Sequence, residues 1–190
     1  MERTAAPYRS FSSTELAALP DGAGCRVVAD AAERALHMAI RRAVFVDEQG
    51  LFGVSDADEH DRDPTTLHVL GFWAGEAAGA VRLYPLAQPG WWKGDRLAVL
   101  APFRSHGIGA PLVRFAVATA SRLGGAVMVA QIQPANVAFF ERLGWYRVGD
   151  PAPYVGRLHQ QMAVDLRNWS HDRRSMATGL ASDRLTQWSE

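Results

Sequence analysis

A chain of 190 residues with 48% hydrophobic and 21% charged side chains is a globular mixture, long enough for one well-buried domain. Its 20 basic and 20 acidic residues cancel, so no global field favours nucleic acid or an anionic membrane as a partner. The single cysteine, Cys25, excludes an internal disulfide, apolar runs are interrupted before they reach spanning length, and no secretory leader pattern is present, so the expected location is the cytoplasm.

Residues 1–24 mix Ser, Thr, Pro and Gly with short apolar pieces and read as a lead-in to one domain over 25–166. Arg26-Val27-Val28-Ala29 is a short strand. Asp30 then suits a helix N-cap with Glu33 at the capping-box position, and Leu36, Ile40, Ala43 and Val44 recur at helical spacing, which makes one face core. The helix runs into the apolar knot Val44-Phe45-Val46, followed by Asp47-Glu48-Gln49. From Asp56 to Asp63, five of eight residues are acidic. An EF-hand loop begun at Asp56 would need Gly and Glu where Asp61 and Leu67 stand, so no metal site is expected. A solvated acidic loop able to attract a cationic substrate is expected instead.

Leu67 to Trp73 and Ala80 to Tyr84, joined near Ala74-Gly75-Glu76, read as an antiparallel hairpin. Arg96 to Leu100 is the next strand. Leu112, Val113, Phe115, Ala116, Val117 and Ala120 define an apolar helix ending at Arg122-Leu123-Gly124-Gly125. The continuous apolar run Ala126 to Ile132 suits a strand buried on both faces. A short helix over 136–143, a strand over 145–148 and a final alternating strand over 159–166 complete the domain. Residues 167–190, with Trp169 and Trp188, form a tail that reads as a linker or a docking segment. The order is α+β, a mixed sheet flanked by helices.

Between the strand at 96–100 and the apolar helix lies Arg104-Ser105-His106-Gly107-Ile108-Gly109-Ala110-Pro111. Two glycines let backbone approach a ligand closely, and a helix start presents N–H groups to an anion, so this octet predicts a phosphate cradle. A dinucleotide fold would place a third glycine at position 112 and an acid about 20 residues on. Position 112 is Leu112, and no acidic residue occurs between Gly109 and Glu141. A Walker loop fails for want of Gly-Lys-Ser/Thr.

The octet resembles the pyrophosphate signature of the GNAT acetyltransferase superfamily, and Asn136-Val137-Ala138-Phe139-Phe140-Glu141-Arg142-Leu143-Gly144-Trp145 resembles its second hallmark. Val44 to Gln49, Ala80 to Leu83 and His159 to Met162 are similar to a bacterial subgroup that includes nitrogen-starvation-associated members and is related at fold level to acyl-homoserine-lactone synthases. The resemblance implies a single GNAT-like domain with a mostly antiparallel sheet splayed at an acyl-CoA site. Acetyl-CoA or another acyl-CoA would be the co-substrate, with no metal. Its pyrophosphate would sit on Arg104, Ser105, His106, Gly107, Ile108, Gly109 and Ala110, and its pantetheine arm would pair with Leu97, Ala98 and Val99, with Asn136 and Phe140 also lining the site. The implied acceptor is a small-molecule amine, and a homodimer is compatible with the pattern.

Acyl transfer from a thioester to an amine needs a neutral nucleophile, an oxyanion donor and a proton for the departing thiolate. The N–H groups of Val99 and Leu100 are candidate oxyanion donors. Many members of the superfamily carry a thiolate-protonating tyrosine just before Glu141, and this chain has Phe140 there. Tyr154, Tyr146, His159 or water would have to replace it, or the protein binds acyl-CoA without transferring it, as a sensor. A lactone-synthase-like transfer onto an S-adenosylmethionine-type acceptor is the third reading. Glu48 is the first candidate base, a carboxylate beside apolar neighbours with a raised pKa, against the reading that it is a surface group paired with Arg82 or Arg96. His159 is a second candidate base. Glu48, Arg82 and Arg96 are candidate acceptor contacts.

Overall fold

The computed structural model describes residues 23–167 and Trp169. Most of the lead-in, and the tail with Trp188, therefore lie outside the described residues. β1 (Ala23–Val27) starts earlier than the sequence pattern indicated and pairs antiparallel with β2 (Leu67–Trp73). Between them α1 (Ala31–Arg42) begins at Asp30, whose carboxylate accepts from the Glu33 N–H at 2.8 Å. Glu33 reciprocates one residue further back, accepting from the N–H of Ala29 at 2.9 Å and from Arg26 Nε at 2.8 Å. α1 passes without a break into a π-helical turn over Ala43–Glu48. That wider turn keeps Val44 and Phe45 buried and leaves Glu48 outside.

β2 returns as β3 (Glu76–Pro85) through a two-residue turn in which Ala74 and Gly75 both have positive φ, 49° and 86°. Such a turn matches the twist of an antiparallel hairpin. β4 (Trp91–Val99) begins well before Arg96, directly after the turn at Gly90 (φ 79°). A 3-10 segment (Ala101–His106) leads into α2 (Gly109–Arg122), followed by β5 (Val127–Ile132). A 3-10 turn (Pro134–Asn136) and α3 (Val137–Arg142) precede β6 (Tyr146–Arg147), β7 (Ala152–Tyr154) and β8 (Arg157–Asp165). β7 was not legible as a strand in the sequence. It forms a hairpin with β8 across Val155 and Gly156, both of positive φ.

The sheet runs β1-β2-β3-β4-β5-β8-β6, with β7 paired to β8. Every pair is antiparallel except β4 with β5. That parallel pair is limited to Trp91↔Val127, Trp92↔Met128 and Lys93↔Val129, after which the two strands separate. Strand alternation sends neighbouring residues to opposite faces. Leu70, Ala80 and Ala98 pack with Ile40, Val44 and Phe45 on the α1 face. Val69, Val81 and Leu83 join the larger core of α2 and α3, to which Trp169 adds a partly buried ring.

Candidate active site

The separation of β4 from β5 opens a cavity of about 120 Å³ that touches both faces of the sheet. From the α1 face it is lined by Phe45, Phe52 and Arg96, and by Tyr154 and His159 of the β7–β8 hairpin. From the α2 face it is lined by Val113, Ala116, Met128, Phe140 and Trp145. The cradle stands beside this gap. Gly107 adopts φ 72°, which ends the 3-10 segment and turns the chain into α2. A Cβ there would meet nothing within 4 Å, so the space before the α2 N-terminus is open. A Cβ on Gly109 would stand 3.4 Å from the Phe139 ring. Gly107 donates its N–H to Arg104 O at 3.2 Å and Ala110 to Gly107 O at 3.3 Å, which leaves the Ile108 and Gly109 N–H groups and the helix dipole to favour an anion at this end. The His106 ring stacks on Trp73 at 4.5 Å and 13°, forming one wall of the cradle.

Several anticipated contacts take other roles. Leu97 lines the gap, but Ala98 pairs with Ala80 and buries its methyl on the α1 face, so it does not face the gap. Leu100 donates its N–H to Ala78 at 2.9 Å and is not available as an oxyanion donor. Strand alternation turns the peptide groups of Val99 the other way, toward the gap. Arg104 points away from the cradle: its Nε donates to Val99 O at 3.0 Å and its terminal nitrogen to Glu48 at 2.6 Å.

Glu48 corrects the expectation of a desolvated base. Its side chain is 42% exposed, and its partner is Arg104 rather than Arg82 or Arg96. The hydrogen bond from that guanidinium, with its charge, holds the carboxyl below its ordinary range instead of raising it.

Arg82 and Arg96 are also corrected as acceptor contacts. Arg82 is fully buried and donates to Asp95 at 2.8 and 2.7 Å and to both oxygens of Asp58. Arg96 lines the gap with its guanidinium 5.0 Å from the Phe52 ring, yet its nitrogens go to Asp56 and Asp58. The segment anticipated as a solvated acidic loop therefore folds inward. Asp56 and Asp61 bind the buried Arg41 at 2.7 and 2.6 Å, and Asp61 also lies 3.0 Å from Arg82. Burial alone would raise the Asp61 carboxyl, but hydrogen bonds from Arg41 and from the Asp58 N–H outweigh it and hold Asp61 well below the carboxylate range. These carboxylates are neutralised and cannot draw in a cationic substrate.

The late hairpin supplies the polar groups that do reach the gap. His159 is buried, and its Nδ1 lies 3.0 Å from the Arg157 carbonyl. A carbonyl accepts only, so Nδ1 is the donor, and in the neutral ring the lone pair lies on Nε2. Tyr154 stands edge-on to His159 with ring centroids 5.4 Å apart, and Lys93 Nζ lies 5.2 Å from the Tyr154 ring centre. Phe140 packs edge-on against both Phe139 and Trp145, at 5.3 Å each, and Asn136 lines the same gap. Phe52 and Lys93 were not singled out from the sequence, and Phe45 and Trp145 were named within motifs but not as lining the gap. Phe45 lay in a run that reads equally as core, and Lys93 was hidden by the late placement of the β4 start. Among the described residues no group of His, Cys, Asp or Glu is arranged to hold a metal, and no helix is long and apolar enough to cross a membrane.

A sequence model of the Acetyltransferase (GNAT) family matches residues 32–145, and the chain belongs to that family. A Bacillus subtilis (strain 168) protein that carries an acetyltransferase name is 29% identical over 116 residues, 60% of this chain and 78% of the relative. Among solved structures, an acyl-CoA N-acyltransferase from Pseudomonas aeruginosa superposes with a TM-score of 0.64 at 23% identity, covering 75% of this chain and 97% of that one. The CoA-dependent acyl-homoserine lactone synthase BjaI gives a TM-score of 0.59 at 21% identity, covering 72% and 78%. The fold is thus that of the GNAT family, shared with the solved N-acyltransferase and acyl-homoserine lactone synthase structures.

Proposed function

We propose that the protein transfers the acyl group of an acyl-CoA, acetyl-CoA being the simplest donor, to the amine of a small molecule in a ternary complex. The observation that carries this reading is the gap between β4 and β5 opening beside the α2 N-terminus, with His159 and Tyr154 at its α1 side. The cradle accommodates a pyrophosphate through the N–H groups of Ile108 and Gly109 and the helix dipole. Leu97 and Val99 offer a strand edge to the amide-bearing arm, and the Val99 N–H is the oxyanion donor.

Nε2 of His159 accepts the proton of the attacking amine, whose nitrogen forms the new bond to the thioester carbon as the C–S bond breaks. The Tyr154 hydroxyl returns a proton to the thiolate, the role that Phe140 has no proton to fill. Glu48, held low and exposed by Arg104, positions that arginine at the rim instead of acting as the base.

Thiol release from acetyl-CoA across a library of amines, amino acids and peptides tests the reading. Amine-dependent release is expected. His159→Gln should lower kcat by about 10²-fold or more, the contribution of a positioned base, while CoA binding is retained. Equal loss of binding and turnover would make His159 structural. Tight CoA binding with no transfer to any amine would make the protein a sensor.

A further inference from the structure

The α2 side of the gap is an apolar space within the main core. Val113, Ala116, Met128, Ala130, Phe140 and Trp145 all line it, and each is at most 5% exposed and belongs to the main core. The space they enclose is therefore internal, yet it is continuous with the opening between the strands. Three of its positions carry the smallest side chains. Gly94, Ala116 and Ala130 stand where larger residues would fill the void, and a Cβ on Gly94 would already lie 3.2 Å from Met128 Sδ.

An apolar void in a packed core destabilises the fold in proportion to its volume, so one that persists at a ligand site calls for an occupant. The occupant has to be apolar and narrow and must enter between two strands. The polar end of the site lies at the cradle and the His159 side, so a head group cannot occupy the chamber.

We infer that the chamber takes the hydrocarbon chain of the donor, and that the preferred acyl group has about four to six carbons, since the whole gap of about 120 Å³, shared between this chain and the thioester end, is smaller than the core cavity of about 150 Å³ that accepts benzene. The thioester lies at the Val99–His159 level and the chain passes through the sheet beneath α2. The inference rests on the acyl-CoA reading above.

Calorimetric titration of the full chain with CoA, acetyl-, butyryl-, hexanoyl- and decanoyl-CoA tests it. Burial of each methylene strengthens binding by up to about fourfold, so hexanoyl-CoA is expected to bind at least about 20-fold more tightly than acetyl-CoA. Decanoyl-CoA should gain nothing further. Acetyl- and hexanoyl-CoA binding within about twofold of each other would overturn the chamber's role and leave the CoA site standing. No binding of CoA or any thioester would overturn both.

Ala116→Leu should bring the hexanoyl-to-acetyl ratio down to about one. An unaltered ratio in the folded variant would place the chain elsewhere and overturn the proposal. Ala130→Val is the substitute if Ala116→Leu does not fold, with the same ratio as readout.

Discussion

Two connections of this fold, 50–66 and 100–110, are both polar interruptions between apolar elements, and they resolve in opposite ways. In the first, Asp56, Asp58 and Asp61 turn inward and meet Arg41, Arg82 and Arg96, with Asp95 completing the set. Its charges satisfy one another inside the protein. In the second, the charged residue Arg104 leans out to Glu48, and the chain turns at Gly107 beside open space, with the Ile108 and Gly109 N–H groups at the start of α2. One connection is closed upon itself by side chains and holds α1 to the sheet, whereas the other leaves its main chain free to meet a ligand. Charge density is thus a poor guide to which connection is left open, and the proposed anion cradle lies on the glycine-containing, charge-poor segment.

Removing Arg82 gives the strongest test of this contrast. Arg82→Met should cost about 3–5 kcal/mol of unfolding free energy, because Asp58 and Asp95 would be left without their buried partner. A loss below about 1 kcal/mol in urea titration would mean that the segment behaves as a solvated loop after all.

Acid should act on the same region next. His37 and His68 stand edge-on at 4.8 Å beside this network. Burial, and then neighbouring positive charge, pushes His37 down to about 3 and His68 down to about 4. Both are neutral in the fold and protonate more readily when unfolded, so their contribution is complete above about pH 6.5 and is lost as pH falls toward those values. The expected loss is about 2 kcal/mol per histidine between pH 6.5 and 5. Denaturation midpoints flat over that interval would sink the assignment.

At the cradle, Gly107→Val should weaken CoA binding by about tenfold, or about 1.4 kcal/mol. It forces a β-branched residue to φ 72° and fills the open space before α2. Calorimetry showing unchanged affinity would detach this turn from the donor site. The smallest effect belongs to Glu48→Gln, an exposed ion pair whose loss should leave the denaturation midpoint essentially unchanged and lower turnover by less than the His159 variant does. A turnover loss as large as that of His159→Gln would restore Glu48 as the base.

Much of this architecture was legible because it is local. Asp30 as a cap, the Ala74-Gly75 turn, the glycines of the cradle and the apolar runs of β5 and α2 follow from neighbours within a turn or a strand. Phe140 was legible as a departure only through the family resemblance, which places a tyrosine there. The roles of Asp58, Glu48 and Arg82 were not, because each depends on a distant partner: Asp58 with Arg82, Glu48 with Arg104, Arg82 with Asp95. Composition registers how many charges a segment has and is blind to which way they fold. The chamber beneath α2 was equally hidden, since Gly94, Ala116 and Ala130 look like ordinary core residues until the strands on either side of them part.

The brevity of the β4–β5 pairing has a thermodynamic consequence. Three residue pairs join the two halves of the sheet, so the native ensemble has a built-in seam at which breathing costs least. A ligand lying in that seam acts as a removable splint. At 100 times its dissociation constant it adds about 2.7 kcal/mol to the stability of the whole chain by mass action. Slowed amide exchange along β4 and β5 would register its arrival before any product is formed.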